Sequence, residues 1–210
     1  TLRIITDSTC DISPQLQQEL NIDIVPLKVL FGDEEYLDGQ TITKTAFYEK
    51  LSQSKLMPST SQVNPEEFLS LFQGYLKAQD EILGIFLSSE LSGTFQSAMI
   101  AKRMLDNHPN IHLVDSRNVT FGLAFLIFEA IKLRDAGQSA EQIAQHLDEL
   151  KQRVVLYGVL NTLEYLKRGG RLSASSAIIG GLLSIKPLVH VRNGFLINDG
   201  KARGLNGAYE

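Results

Sequence analysis

Two short clusters of hydroxyl-bearing residues carry most of the chemistry this sequence offers. One is Pro58-Ser59-Thr60-Ser61-Gln62, which has no charged catalytic residue beside it. The other, Ser92-Gly93-Thr94, lies within Ile82 to Ala98, an apolar run that breaks into small hydroxyl residues and resumes with helical spacing. That pattern predicts a strand, a turn and a helix start. A helix start leaves amide hydrogens unpaired and carries a partial positive charge, so it attracts anions. Gly93 has no side chain to keep a ligand away from the backbone. Hydroxyls and amides can hold a carboxylate without a full opposite charge, each hydrogen bond to a charged group contributing about 1.5–3 kcal/mol. The competing reading is that each hydroxyl only caps its own helix. Repetition favours a shared site, because Asp7-Ser8 and Asp115-Ser116 also follow strands. Binding of an anionic head is indicated more than reaction on it.

A serine nucleophile is the rival reading, with Ser89 and Ser92 at a strand-to-helix turn. The Gly-x-Ser-x-Gly pattern of a hydrolase elbow is absent. His108 and His112 flank a turn, His146 falls on a helix surface, and His190 ends a strand where a base could sit. A serine-dependent esterase, or a phosphotransferase working on a small anion in the same crevice, is therefore the alternative function. No metal site is expected, since no histidine pair or histidine–carboxylate pair has ligand spacing on a common element. Asp33, Glu34, Glu35 and Asp38 read as a solvated loop. Lys167-Arg168-Gly169-Gly170-Arg171 is the concentrated basic group, either a helix end with Gly169 as its left-handed cap or a contact for a phosphate or acidic partner.

The elements that must position these residues alternate along the chain. Leu2 to Thr6 reads as a strand, and Ser13 with Pro14 opens a helix. Ile22 to Phe31 is β-branched and apolar, bent at Pro26. Thr41 to Ser52 looks helical, residues 58–62 form a loop, and Asn64-Pro65 starts a helix with Phe68, Leu69, Phe72 and Leu76 on one side. After the strand and helix around 82–98, Ile111 to Asp115 is a strand, about Val119 to Asp135 an apolar helix, and Ser139 opens a helix that ends near Arg153. Val154 to Leu160 reads as a buried strand. Beyond it come a short helix from Leu163 to Lys167, an apolar helix from Leu172 to Leu183, and two strands joined by Arg192-Asn193-Gly194 as a hairpin. The alternation implies an α/β fold with a mainly parallel sheet covered by helices on both faces. A domain boundary is expected near 155–162, giving an α/β unit over 1–158 and a smaller unit over 159–210. In such sheets the loops at the carboxyl ends of the strands meet in one crevice.

The chain has 210 residues and 43% hydrophobic content, enough for a proper core. Its formal charge of -4 lacks the basic excess that nucleic acid calls for. Cys10 is the single cysteine, so no internal disulfide can form and a reducing cytoplasm fits. The longest apolar stretches fall far short of the roughly 20 residues that span a bilayer, and no signal-peptide pattern opens the chain.

Taken together, the residues resemble the DegV family of fatty-acid-binding proteins, some of which are the lipid-presenting subunit of a bacterial fatty acid kinase. The resemblance runs from Ile4 to about Arg203. It rests on Thr6-Asp7-Ser8-Thr9-Cys10-Asp11, Pro58-Ser59-Thr60-Ser61-Gln62, Leu87-Ser88-Ser89-Glu90-Leu91-Ser92-Gly93-Thr94-Phe95, Val114-Asp115-Ser116 and Leu163-Glu164-Tyr165-Leu166-Lys167-Arg168-Gly169-Gly170-Arg171-Leu172. It implies a cytoplasmic, non-enzymatic carrier holding one long-chain, palmitate-like fatty acid between an α/β domain and a smaller one. The carboxylate would be held by Thr60 and Ser92, with Arg203 matching the family's arginine and Ser8, Ser59, Ser61, Gly93 and Thr94 adjacent. A fatty acid kinase catalytic protein would be the partner, touching Lys167, Arg168 and Arg171. The apolar helices at 172–183 and after Phe121 would be tunnel walls. Family members continue beyond the point where this sequence stops, with a histidine there said to complete the carboxylate contacts. The second α/β domain is accordingly expected to be incomplete here, and His190 does not stand in for that histidine.

Overall fold

Residues of alternating parity in the first strand, β1 (Leu2–Asp7), point into two separate cores, and the molecule is built outward from it. A computed structural model describes residues 1–172, 185–203 and 207. β1 pairs in parallel with β2 (Asp23–Val25) on one side and with β6 (Glu81–Phe86) on the other, and β6 pairs in parallel with β7 (Ile111–Asp115). The sheet order is thus β2-β1-β6-β7. Successive side chains in a strand face opposite ways. Ile4, Leu83, Ile85 and Val114 accordingly pack with Leu123, Ile127, Ile143 and Leu147 of α5 (Thr120–Asp135) and α6 (Ala140–Leu150). Ile5, Ile82, Phe86 and Ile111 pack on the other face with Phe68 and Phe72 of α3 (Pro65–Lys77) and Ala98 and Ala101 of α4 (Thr94–Met104). The Phe68 and Phe86 rings meet edge to face at 5.0 Å between centroids. Such a pair adds about 0.5–1.5 kcal/mol beyond its buried area. The expected α/β architecture with a parallel sheet between helices is the observed one.

Several boundaries follow local chemistry. α1 (Pro14–Leu20) begins where expected, with Ser13 Oγ accepting from the Leu16 amide at 3.2 Å. Ser139 and Gln142 form a reciprocal capping box at the start of α6. The run from Ile22 to Phe31 is two strands rather than one. Pro26 has no N–H to give a ladder, and beyond it the chain leaves the parallel sheet to form β3 (Lys28–Phe31), flanked antiparallel by β4 (Glu34–Leu37) and β5 (Ser59–Ser61). Thus the expected loop at 58–62 is largely a strand, with Thr60 paired to Val29. The helix between β4 and β5 is α2 (Lys44–Gln53).

The third sheet, ordered β10-β9-β8, is antiparallel and holds β8 (Tyr157–Val159), β9 (Ile185–Arg192) and β10 (Phe195–Arg203). The expected buried strand at 154–160 is instead this short outer strand, with Tyr157 65% exposed, because it lies at one side of a small sheet and not within the parallel one. The β9–β10 turn is the expected hairpin: Asn193 and Gly194 have φ of 51° and 85°, the pair of positive values that a type I′ turn requires. The short helix α7 (Glu164–Arg168) ends as expected near Gly169-Gly170, but the left-handed residue is Gly170, at φ 71°. The predicted helix over 172–183 falls, apart from Leu172, outside the described residues. The apolar helix α5 turns Leu123, Leu126 and Ile127 to the core and Phe121, Phe125 and Phe128 to solvent, and it supplies none of the described lining residues of the main cavity. No helix among the described residues is long and apolar enough to cross a membrane.

Candidate functional site

At the carboxyl ends of β1 and β6 the chain leaves the sheet in opposite directions, and Asp7 holds the two ends together. Its Oδ2 accepts from the Leu87 amide at 2.8 Å, and its Oδ1 accepts from the Thr9 amide at 3.0 Å and the Thr9 hydroxyl at 2.6 Å. Burial pushes the Asp7 carboxyl pKa up, while these hydrogen bonds pull it down. The switch of direction between neighbouring parallel strands opens a crevice there. Thr9 and Leu87 both face a cavity of about 1100 Å³.

The cavity gathers residues from distant parts of the chain. From the β3–β5 sheet come Val29, Ser59, Thr60, Ser61 and, just beyond β5, Gln62; from the turn before α4 come Leu91, Ser92 and Gly93. Leu27, Phe47, Leu51, Met57, Val119 and Leu196 add aliphatic and aromatic wall, and α7 contributes Leu166 and Arg168, followed by Gly169 and Arg171. The two hydroxyl clusters therefore open on one space whose other described walls are mostly apolar. Ligand sites commonly have this composition, an apolar pocket with a few convergent polar groups.

Each anticipated residue has a definite place. Thr60 is exposed on β5, while Ser92 is half-buried, its Oγ accepting from the Thr94 amide at 3.3 Å and lying 3.0 Å from Thr94 Oγ1. Thr94 itself is fully buried and does not face the cavity. Ser8 also lies outside the lining: its Oγ accepts from the Leu27 amide at 3.1 Å. Arg203, the exposed last residue of β10, and Lys167 are likewise not lining residues. Arg171 is fastened at the rim, its Nε donating to Leu91 O at 3.1 Å and its Nη1 to Gly169 O at 2.6 Å. Arg168 pairs with Glu164 at 3.1 Å.

Three features were not anticipated. The space left by the missing side chain of Gly93 is filled by protein: a Cβ there would overlap the Gln62 carboxamide, whose Nε2 donates to Ser97 Oγ at 3.0 Å. Asp38, read as part of a solvated acidic loop, is half-buried and lines the cavity, and burial raises its pKa. Only the contact of Gln62 had a sequence signal, its place in the hydroxyl cluster. The third feature is a latch: Ser88 Oγ donates to Gly194 O and Arg117 Nη2 to Asn193 O, both at 2.8 Å, which seats the hairpin turn on the loops above β6 and β7. His190 does not end a strand. It lies within β9, 3.3 Å from Asp199, and no histidine is among the described lining residues.

Comparison with known proteins places this geometry. The sequence profile of the DegV family, described as uncharacterised proteins, matches residues 1–210. A DegV domain-containing protein of Clostridium perfringens is 36% identical over 203 residues, covering 97% of this chain and 72% of that protein. A DegV family protein from Thermus thermophilus, whose structure concerns its fatty acid binding, superposes with a TM-score of 0.87 at 33% identity, over 97% of this chain and 72% of that one. A stearic-acid-binding protein from Eubacterium ventriosum gives 0.89 at 30%, over 98% and 72%. DegV from Bacillus subtilis, a fatty acid binding protein, gives 0.85 at 32%, over 99% and 74%. By its profile match and its curated relatives, the chain belongs to the DegV family.

Proposed function

We propose that this chain is a carrier that binds one long-chain fatty acid in the cavity between the parallel sheet and the smaller C-terminal unit, which we divide near 155–162. The observation that supports the proposal is that Thr60 and Ser92, from separate motifs, both line one cavity whose other described walls are mostly apolar. Neutral hydroxyls hold the carboxylate, and the tail lies against Leu27, Val29, Leu51, Leu166 and Leu196. A saturated chain of about fifteen methylene-like carbons, at about 0.8 kcal/mol each, supplies more than ~10 kcal/mol before entropic costs. The head group therefore only needs to be positioned. The similar protein from Eubacterium ventriosum binds stearic acid, and a similar DegV family protein from Eubacterium eligens is loaded with heptadecanoic acid, so a palmitate-like ligand, close to these in length, is proposed here. The carrier presents the carboxylate to a fatty acid kinase in the cytoplasm, and the basic rim at Arg168 and Arg171, with Lys167 beside it, contacts that partner. Catalysis belongs to the partner: Ser92 has no histidine beside it in the cavity lining, which favours this reading over an esterase or a phosphotransferase.

The test is native mass spectrometry of protein purified from cells, which should reveal a bound fatty acid. Thr60→Ala and Ser92→Ala should each weaken palmitate binding by about tenfold or more, the equivalent of one hydrogen bond to a charged group. A chain that emerges empty and takes up neither palmitate nor oleate would end the proposal, and unchanged affinity in the double variant would move the head-group site elsewhere.

A further inference from the structure

We propose that Gln62 is the positioning residue of the head-group end, setting the separation between the strand that carries Thr60 and the helix start that carries Ser92. The inference rests on the fatty-acid reading of the cavity given above. β5 belongs to a sheet whose ladder joins it to β3 alone, so that ladder does nothing to fix it relative to α4. Gln62 lies one residue past β5 and reaches across: its Nε2 donates to Ser97 Oγ at 3.0 Å, the one side-chain hydrogen bond among the described residues that joins segment 58–62 to α4. Ser97 is a rigid anchor, fully buried, with its own amide bonded to Gly93 O at 2.9 Å.

The fit over Gly93 sharpens the point. The Gln62 carboxamide lies against the face where Gly93 would carry a side chain, so any Cβ would push it out of place. Gly93 has φ of -74° and needs no glycine for its backbone angles. Its lack of a side chain is explained by the approach of Gln62 and not by strain. A carboxylate has two oxygens at fixed spacing, and a site that holds it with two hydroxyls depends on keeping those hydroxyls within a fraction of an ångström of their places. Gln62 supplies that spacing, and because it is itself exposed, little of the core depends on it.

The test uses the full chain stripped of lipid, with palmitic acid and methyl palmitate as probes in a displacement titration. The ester keeps the tail and lacks the charged head. Wild-type chain should prefer the acid. Gln62→Ala should lower that preference by about tenfold, the worth of one well-placed hydrogen bond to a charged group, while leaving the affinity for the ester unchanged. Gly93→Ala should do the same by displacing the carboxamide from Ser97, and the double variant Gln62→Ala/Gly93→Ala should be no worse than Gly93→Ala alone. Gln62→Met, of similar length but unable to bond Ser97, repeats the test should the alanine variant fold poorly. An acid preference that survives Gln62→Ala overturns the inference, and so does an equal loss for acid and ester, the mark of a merely structural role. If the wild-type chain itself shows no preference for the acid, the head-group reading falls and takes this inference with it.

Discussion

Asp7 sits wholly out of water between the ends of two parallel strands, with three donors directed at its carboxyl group. Replacing it by asparagine puts an NH2 group, which cannot accept, against either the Thr9 or the Leu87 amide, so one of these amides is left unbonded. A protonated carboxyl can instead donate to the Thr9 hydroxyl and still accept from both amides. A buried unsatisfied group costs about 1–3 kcal/mol, and Asp7→Asn should lose about that much in urea unfolding. The dependence on pH has a definite sign. Burial raises the folded-state pKa above the ordinary value of 3.8, so the native state holds its proton more tightly than the unfolded chain does. The resulting stability is complete below that ordinary value and is lost as pH rises through the folded pKa. The gap between wild type and Asp7→Asn should be widest at pH 4 and narrow toward pH 7. A gap that widens with pH would show that the fold prefers the ionised carboxylate. The Thr9 donors are local to the motif Asp7-Ser8-Thr9, but the donor from Leu87, at the end of β6, is not legible in it because it arrives from another part of the chain. Ser92 carried a local signal, a hydroxyl beside a helix start, whereas Thr60 on β5 carried only its place in a hydroxyl cluster; that both line one cavity is what the fold adds.

Caps and turns whose signals lie within a few residues form as expected, apart from a shift of the α7 cap from Gly169 to Gly170, whereas strands decided by neighbours do not. Ser13-Pro14, the pair Ser139 and Gln142, and Asn193-Gly194 each act within four residues, and all three form the cap or turn that their chemistry dictates. β5 has no apolar alternation to betray it; Ser59-Thr60-Ser61 becomes a strand because β3 presents unpaired backbone groups to it. Val154 to Leu160 is apolar enough for a core strand, yet its middle joins the small antiparallel sheet because β9 is there to pair with it. The seating of that hairpin makes a testable case. Gly194 is buried at φ 85°, and a Cβ on it would crowd Ser88 Oγ, Glu90 Cγ and Arg117 Nε. Gly194→Ala should destabilise the chain by about 1–3 kcal/mol through backbone strain and the displaced contact. Because Ser88 shares that contact, Ser88→Ala and Gly194→Ala should be less than additive in denaturant midpoints measured at constant slope. Full additivity would mean that the turn does not lean on Ser88.

At the scale of the whole molecule, the proposed ligand touches parts that come from distant stretches of the chain: the loops above the parallel sheet, the β3–β5 sheet, and α7 with the turn end of the hairpin. A molecule that binds the folded chain and not the unfolded one stabilises it by RT ln(1 + [L]/Kd), about 2.7 kcal/mol at a hundredfold excess over Kd. For a chain of this length each kcal/mol moves the melting point by about 2–4 °C, so saturating palmitate should raise it by roughly 5–10 °C. The tail and the head can be separated within the same experiment. If the tail lies in the cavity, affinity should climb by about fourfold for each added methylene from decanoate upward, the factor that about 0.8 kcal/mol implies. It should then level off once the tail outgrows the space enclosed by Leu27, Leu51, Leu166 and Leu196. Thr60→Ala should shift the whole series by a constant amount without changing its slope, since the hydroxyl meets only the carboxylate end. A flat series would place the tail outside the cavity. A change in slope on substituting Thr60 would mean that this hydroxyl also shapes the apolar part of the site.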